Sequence, residues 1–96
     1  DLYLSKLLAE AEKDQIQVVY LILPTYSKDN AGVIGRYFDA LEKHVKLLEH
    51  QFSNYSVLRP RIQNRMEYFV DVNHLNKVGA KVFTDKLIEE LPPACK

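Results

Sequence analysis

A chain of 96 residues allows one domain with a modest core and no more. A hydrophobic fraction of 47% argues for a packed interior over disorder. Thirteen Lys and Arg balance thirteen Asp and Glu, so there is no cationic surplus of the kind a nucleic-acid partner requires. No apolar run reaches the ~18 residues of a membrane span, and no charged-then-apolar leader opens the chain. Neither a membrane segment nor a signal peptide is therefore expected within it. Cys95 is the single cysteine, which rules out an internal disulfide and reads as a free, exposed thiol.

Taken in order, residues 2–13 predict a helix. Leu4, Leu7, Leu8 and Ala11 recur at i, i+3, i+4, i+7, and Lys6, Glu10 and Lys13 fall elsewhere on the wheel. Residues 16–23 (IQVVYLIL) form a nearly continuous apolar run rich in Val and Ile. That pattern predicts a strand covered on both faces, as in a parallel sheet. Pro24 ends it, and residues 25–30 make a polar loop at its carboxyl end, the edge where open α/β sheets bind ligands. Tyr26 in this loop is a candidate for the rim of a site.

Residues 31–51 predict a long helix with Ile34, Phe38, Leu41, Val45, Leu48 and Phe52 as its apolar stripe and Asp29 or Asn30 as its cap. Residues 55–58 (YSVL) predict a short second strand, halted by Arg59-Pro60-Arg61. The arginines around Pro60 read as an exposed basic loop able to meet a carboxylate or phosphate. Residues 66–70 predict a short strand or an extended approach. Asn76 is placed to cap a helix over residues 77–91, with Val78, Val82, Phe83, Leu87, Ile88 and Leu91 on its apolar side. Pro92-Pro93 end that helix.

Helix, strand, helix, short strand, loop and helix give an α/β order with only two or three strands, within a single domain spanning 1–96. So small a sheet leaves a strand edge unpaired and makes a homodimer possible.

The candidate chemistry lies at Asp71 and His74. An apolar approach ends in the acid, the histidine follows three residues later, and a helix opens just beyond. A turn with that spacing lets Asp71 fold back onto His74. Gly79 is placed to hold the helix start close to the sheet. The same residues also admit a plainer account, in which Asp71 caps a turn and His74 is an ordinary surface histidine. A metal site lacks a third ligand. His44 and His50 lie on different faces of their helix and cannot chelate together.

Asp71-Val72-Asn73-His74-Leu75-Asn76, with Gly79-Ala80 and Phe83-Thr84 after it, resembles the last conserved block of the SGNH (GDSL-like) hydrolase superfamily. Residues 16–27 look like the penultimate strand of its envelope subset, proteins of D-alanine transfer and polysaccharide O-acetylation. The resemblance spans roughly residues 2–91, and its specific part is about a dozen residues. It implies a three-layer α/β/α, flavodoxin-like domain with a mainly parallel sheet, of which this chain is the incomplete C-terminal half. It also implies a Ser-His-Asp triad acting on an acyl ester, small or polymer-borne, with no cofactor. Asp71 matches the triad acid and His74 the base. The family's Gly-Asp-Ser-like block has no counterpart here, since Ser5, Ser27, Ser53 and Ser56 all lack its context. The missing N-terminal half is thus an implied partner, the fragment alone is expected to be inactive, and the implied location is the cell envelope or periplasm.

Overall fold

The structure is a computed structural model that describes residues 2–26 and 33–95. It is a mixed helix and strand chain: α1 (Leu2–Lys13), β1 (Val18–Leu21), α2 (Val33–Lys46), β2 (Tyr55–Leu58), β3 (Phe69–Asp71), β4 (His74–Leu75) and α3 (Lys77–Glu90). Short 3₁₀ turns occupy Leu47–His50, Met66–Tyr68 and Pro93–Cys95. The long helix expected over 31–51 tightens into the first of these in its last turn, a common way for a helix to end. Asp29 and Asn30, the expected caps, lie outside the described residues.

The turn from α1 into β1 is set by backbone geometry. Gln15 takes a left-handed conformation at φ 57°. Ile16 N–H then reaches Ala11 O at 2.8 Å and Gln15 N–H reaches Glu12 O at 3.1 Å, the paired bonds that close a helix C-terminus. The Asn54 side-chain amide donates to Ile16 O at 3.0 Å and ties this turn to the start of β2.

β1 and β2 pair in parallel, Val18 opposite Tyr55 through Leu21 opposite Leu58. The ordered strand is shorter than residues 16–23 because Ile16 belongs to the helix-closing turn and Pro24 has no N–H to give. Val18, Tyr20, Ile22, Tyr55 and Val57 face one side of the sheet. They pack with Leu4 and Leu8 of α1, Phe38, Leu41 and Val45 of α2, and Leu48 and Phe52 beyond it. Leu8 is fully buried. Val19, Leu21, Ser56 and Leu58 face the other side and are half-buried.

Tyr55 sits inside this core at 4% exposure, its hydroxyl donating to Val45 O at 3.1 Å. Burial, with Tyr20 and Glu49 nearby, pushes its pKa up to about 12. An acid whose folded pKa is raised keeps its stabilising effect below the unfolded pKa near 10 and loses it as pH rises toward 12. Alkaline titration of the fold is therefore expected to show a loss of stability across that window, and Tyr55→Phe is expected to flatten it, as read by chemical denaturation at stepped pH.

α3 departs from expectation. It packs on the Met66–Tyr68 turn and on β4. Only Gly79 and Phe83 are buried, and Val78 and Ile88 are more than half exposed. Of the expected apolar side, Phe83 is buried, Val82, Leu87 and Leu91 are half-buried, and Val78 and Ile88 are left uncovered among the described residues. Cys95 is half-buried in the closing 3₁₀ turn, not fully exposed as its position suggested. Among the described residues no helix is long and apolar enough to cross a membrane.

Candidate active site

Asp71 and His74 meet through a feature the sequence reading lacked. β3 and β4 are antiparallel, with Asp71 and His74 directly opposite across the two-residue link Val72-Asn73. Residues facing each other in such a pair project to the same side with Cβ atoms about 5 Å apart. The three-residue spacing therefore brings them together as a hairpin and not as the turn that opens a helix. His74 Nδ1–H lies 2.7 Å from Asp71 Oδ1 and 3.0 Å from Oδ2. The Asn73 backbone N–H donates to the same Oδ1 at 2.9 Å, so the carboxylate also stabilises its own turn. The bond from His74, and then that from Asn73, hold the Asp71 carboxyl below the usual carboxylate range. A depressed carboxylate exerts this hold above its ordinary pKa and loses it only as pH falls through the lowered value, so the hairpin bond stands throughout the neutral range.

A carboxylate at Nδ1 keeps the proton there and leaves Nε2 with its lone pair. Nε2 has no hydrogen-bond partner among the described residues. The His74 side chain is 73% exposed and that of Asp71 56%. The arrangement can accept a proton at Nε2 from a group brought to it.

Asn76 fixes the hairpin's base. Its side-chain oxygen accepts from Gly79 N–H at 2.8 Å as the cap of α3. Its side-chain amide donates to Glu67 O at 2.6 Å, and its backbone N–H donates to Tyr68 O at 2.9 Å. One residue thus joins the helix start to the turn that leads into β3. Asn76→Ala is expected to cost about 1–2 kcal/mol, measured by urea denaturation. The expected N-cap is in place, and the bond to Glu67 is an addition that no local pattern signals.

Tyr26 comes to the same place. Its N–H donates to Val72 O at 2.9 Å, and its ring lies 5.8 Å from that of Phe69, centroid to centroid. Phe69 also lines a cavity of about 260 Å³ at the carboxyl ends of β1 and β2, together with Pro24, Thr25, Phe38, Arg59 and Arg61. Asp71 and His74 stand outside that lining.

Arg59 is not the exposed loop residue expected. Its side chain is 15% exposed, pairs with Asp39 at 2.7 Å and Glu42 at 3.2 Å, and lies over the Phe38 ring. Burial raises the Glu42 carboxyl pKa, but the bonds from Arg59 and Lys46 outweigh it and the net direction is down. Pro60 is buried between Arg59 and the more exposed Arg61, which reaches the same acids at 3.7–3.8 Å. The distant acids on α2 give no local sign of this pairing.

Among the described residues no three His, Cys, Asp or Glu side chains group as a metal site would need. No family model, curated protein or solved structure matches this chain.

Proposed function

We propose that this chain is the C-terminal part of an SGNH-like three-layer α/β/α domain that hydrolyses or transfers an acyl ester. His74 serves as general base and Asp71 as the residue that orients it. The observation that carries the reading is the bond from His74 Nδ1–H to Asp71 Oδ1 at 2.7 Å, on a hairpin that leads straight into the closing helix.

The chemistry follows from that tautomer. A serine hydroxyl attacks poorly until a base removes its proton. Nε2 takes the proton as serine oxygen bonds to the acyl carbon, and Asp71 stabilises the imidazolium that forms. His74 then gives the proton to the departing alkoxide, leaving an acyl-serine. Water or an acceptor hydroxyl, deprotonated by the same nitrogen, then bonds to the acyl carbon, the acyl–serine bond breaks, and His74 returns the proton to the serine oxygen. The serine comes from outside these residues, and this chain by itself is silent in the assay.

A second reading is a non-catalytic α/β binding or assembly module. The high exposure of the pair and its position outside the 260 Å³ cavity favour it. One experiment separates the two. The full-length protein is treated with a fluorophosphonate probe and assayed on p-nitrophenyl acetate. Labelling of an upstream serine, lost with His74→Ala, supports the acyl-transfer reading. A full-length protein with no labelled serine and no turnover overturns it.

A further inference from the structure

Arg59-Pro60-Arg61, the segment that ends β2, takes no part in the Asp71–His74 pair. Both arginines line the cavity of about 260 Å³ at the carboxyl ends of β1 and β2, and among its described lining residues they are the only charged ones. That end of a parallel pair is where open α/β sheets place ligands. Pro60 between them is fully buried, which fixes the backbone that carries both guanidinium groups. The volume lies just below the roughly 300–1,000 Å³ of drug-sized ligand pockets, so the cavity suits a small organic molecule. Leu23, Phe38, Ile62 and Phe69 make its apolar wall, and the polar side chains beside the arginines, Thr25, Gln63 and Asn64, are uncharged.

Asp39 and Glu42 do not use up the donors of these arginines. Both bonds from Arg59 leave through Nη1, at 2.7 and 3.2 Å. Its Nε and Nη2, which form the side-on edge of the guanidinium, make no hydrogen bond among the described residues. Among those residues Asn54 Oδ1 is the one side-chain polar atom both buried and unbonded, so neither nitrogen is sealed from solvent. Arg61 comes no nearer than 3.7 Å to either acid, beyond hydrogen-bond reach, and bonds to nothing else described. The charges leave a remainder as well. The ion pairs join Arg59, Arg61 and Lys46 to Asp39 and Glu42, three cations against two acids. One negative charge balances that cluster, and a second would be repelled by both carboxylates at close range.

We propose that this cavity binds a small organic monocarboxylate, with its carboxylate on Arg61 and the unbonded Nε–Nη2 edge of Arg59 and its apolar body against Phe38 and Phe69. A guanidinium presents paired N–H groups that match the two oxygens of a carboxylate. The single charge left over in the cluster sets a carboxylate apart from a phosphate dianion. The apolar wall sets an organic acid apart from an inorganic anion. Asp71 and His74 are not among the lining residues, so the site stands or falls apart from the acyl-transfer reading.

The test is an amide-resolved NMR titration of the 96-residue chain with benzoate, benzamide, phenyl phosphate and inorganic phosphate at constant ionic strength. Benzoate is expected to bind with a Kd on the order of 1 mM and to shift the Thr25, Arg61, Ile62 and Phe69 amides. Benzamide keeps the shape without the charge and is expected to bind about tenfold or more weakly. Both phosphates are expected to bind more weakly than benzoate. Arg61→Ala is expected to weaken benzoate about tenfold with an unchanged far-UV spectrum, since Arg61 is 66% exposed. Arg61→Lys recovers only part of the loss, because an ammonium lacks the fork. His74→Ala leaves benzoate binding as it is. No shift of these amides up to about 20 mM benzoate overturns the proposal, as does benzamide bound equally well. Tighter binding of either phosphate overturns it too, as does benzoate binding untouched by Arg61→Ala. Should Arg61→Ala not fold, the comparison of the four probes decides alone.

Discussion

If His74 is the general base proposed above, replacing it by alanine in the proposed full-length protein is expected to lower kcat for an acyl ester by about 10⁵–10⁶-fold, the scale seen when the general base of a serine triad is removed. Asp71→Asn is expected to cost about 10⁴-fold for a different reason. The asparagine oxygen can still accept from Asn73 N–H, so the turn survives. Its amide group, however, cannot act as the anionic acceptor that holds the proton on Nδ1. The imidazole is then free to carry its proton on Nε2, where it can no longer take one from serine. Both side chains are more than half exposed, so neither change is expected to move the unfolding midpoint measurably. Rates measured beside thermal unfolding separate the chemistry from the fold. A loss in kcat of less than about tenfold for His74→Ala would show that the pair is not the base of the reaction.

The second large effect falls on stability. Gly79→Ala is expected to destabilise the chain by about 2–4 kcal/mol. In an exposed helix the same change gains up to about 1 kcal/mol, so the sign itself is informative. Gly79 is buried at the third residue of α3, facing the backbone of Tyr68. A Cβ there would overlap the Tyr68 carbonyl oxygen and lie 2.8 Å from its carbon and 2.9 Å from its Cβ. These are largely main-chain atoms, already fixed by the Asn76 N–H bond to Tyr68 O, and they cannot swing aside as a side chain tip can. The helix must therefore retreat from the base of the hairpin. For a domain of this size the melting temperature is expected to fall by about 10 °C or more. A differential scan of Gly79→Ala against the parent chain measures it. A rise in melting temperature would mean that the helix does not press on Tyr68.

Several elements could be read from the chain because their causes are local. The i, i+3, i+4, i+7 recurrence of Leu4, Leu7, Leu8 and Ala11 specifies α1, and the observed helix ends at the expected residue, although Leu7 is left more than half exposed. Pro24, Pro60 and Pro92 break elements through a missing amide, which is a property of the residue alone. The run YSVL becomes β2 at the expected residues, and Asn76 caps α3. Asp71 and His74 could be paired from their spacing, although the hairpin that pairs them could not. Two-residue β4 is too short to carry a period.

What the residues by themselves determined is the α/β order, the limits of α1, the start of α3 and the identity of the Asp71–His74 pair, since each depends on neighbours within a few positions. Tertiary structure alone decided the rest. Arg59 is partly buried against acids 20 and 17 residues earlier in the chain, and Tyr26 is seated on Val72. Glu49 closes one sheet edge at the Val57 N–H while the other has no partner among the described residues, and α3 rests on a turn and a hairpin that leave Val78 and Ile88 more than half exposed. Each of these depends on which surfaces are brought together across the fold. Periodicity records that a side chain prefers burial. It does not record which distant backbone or carboxylate will be there to meet it.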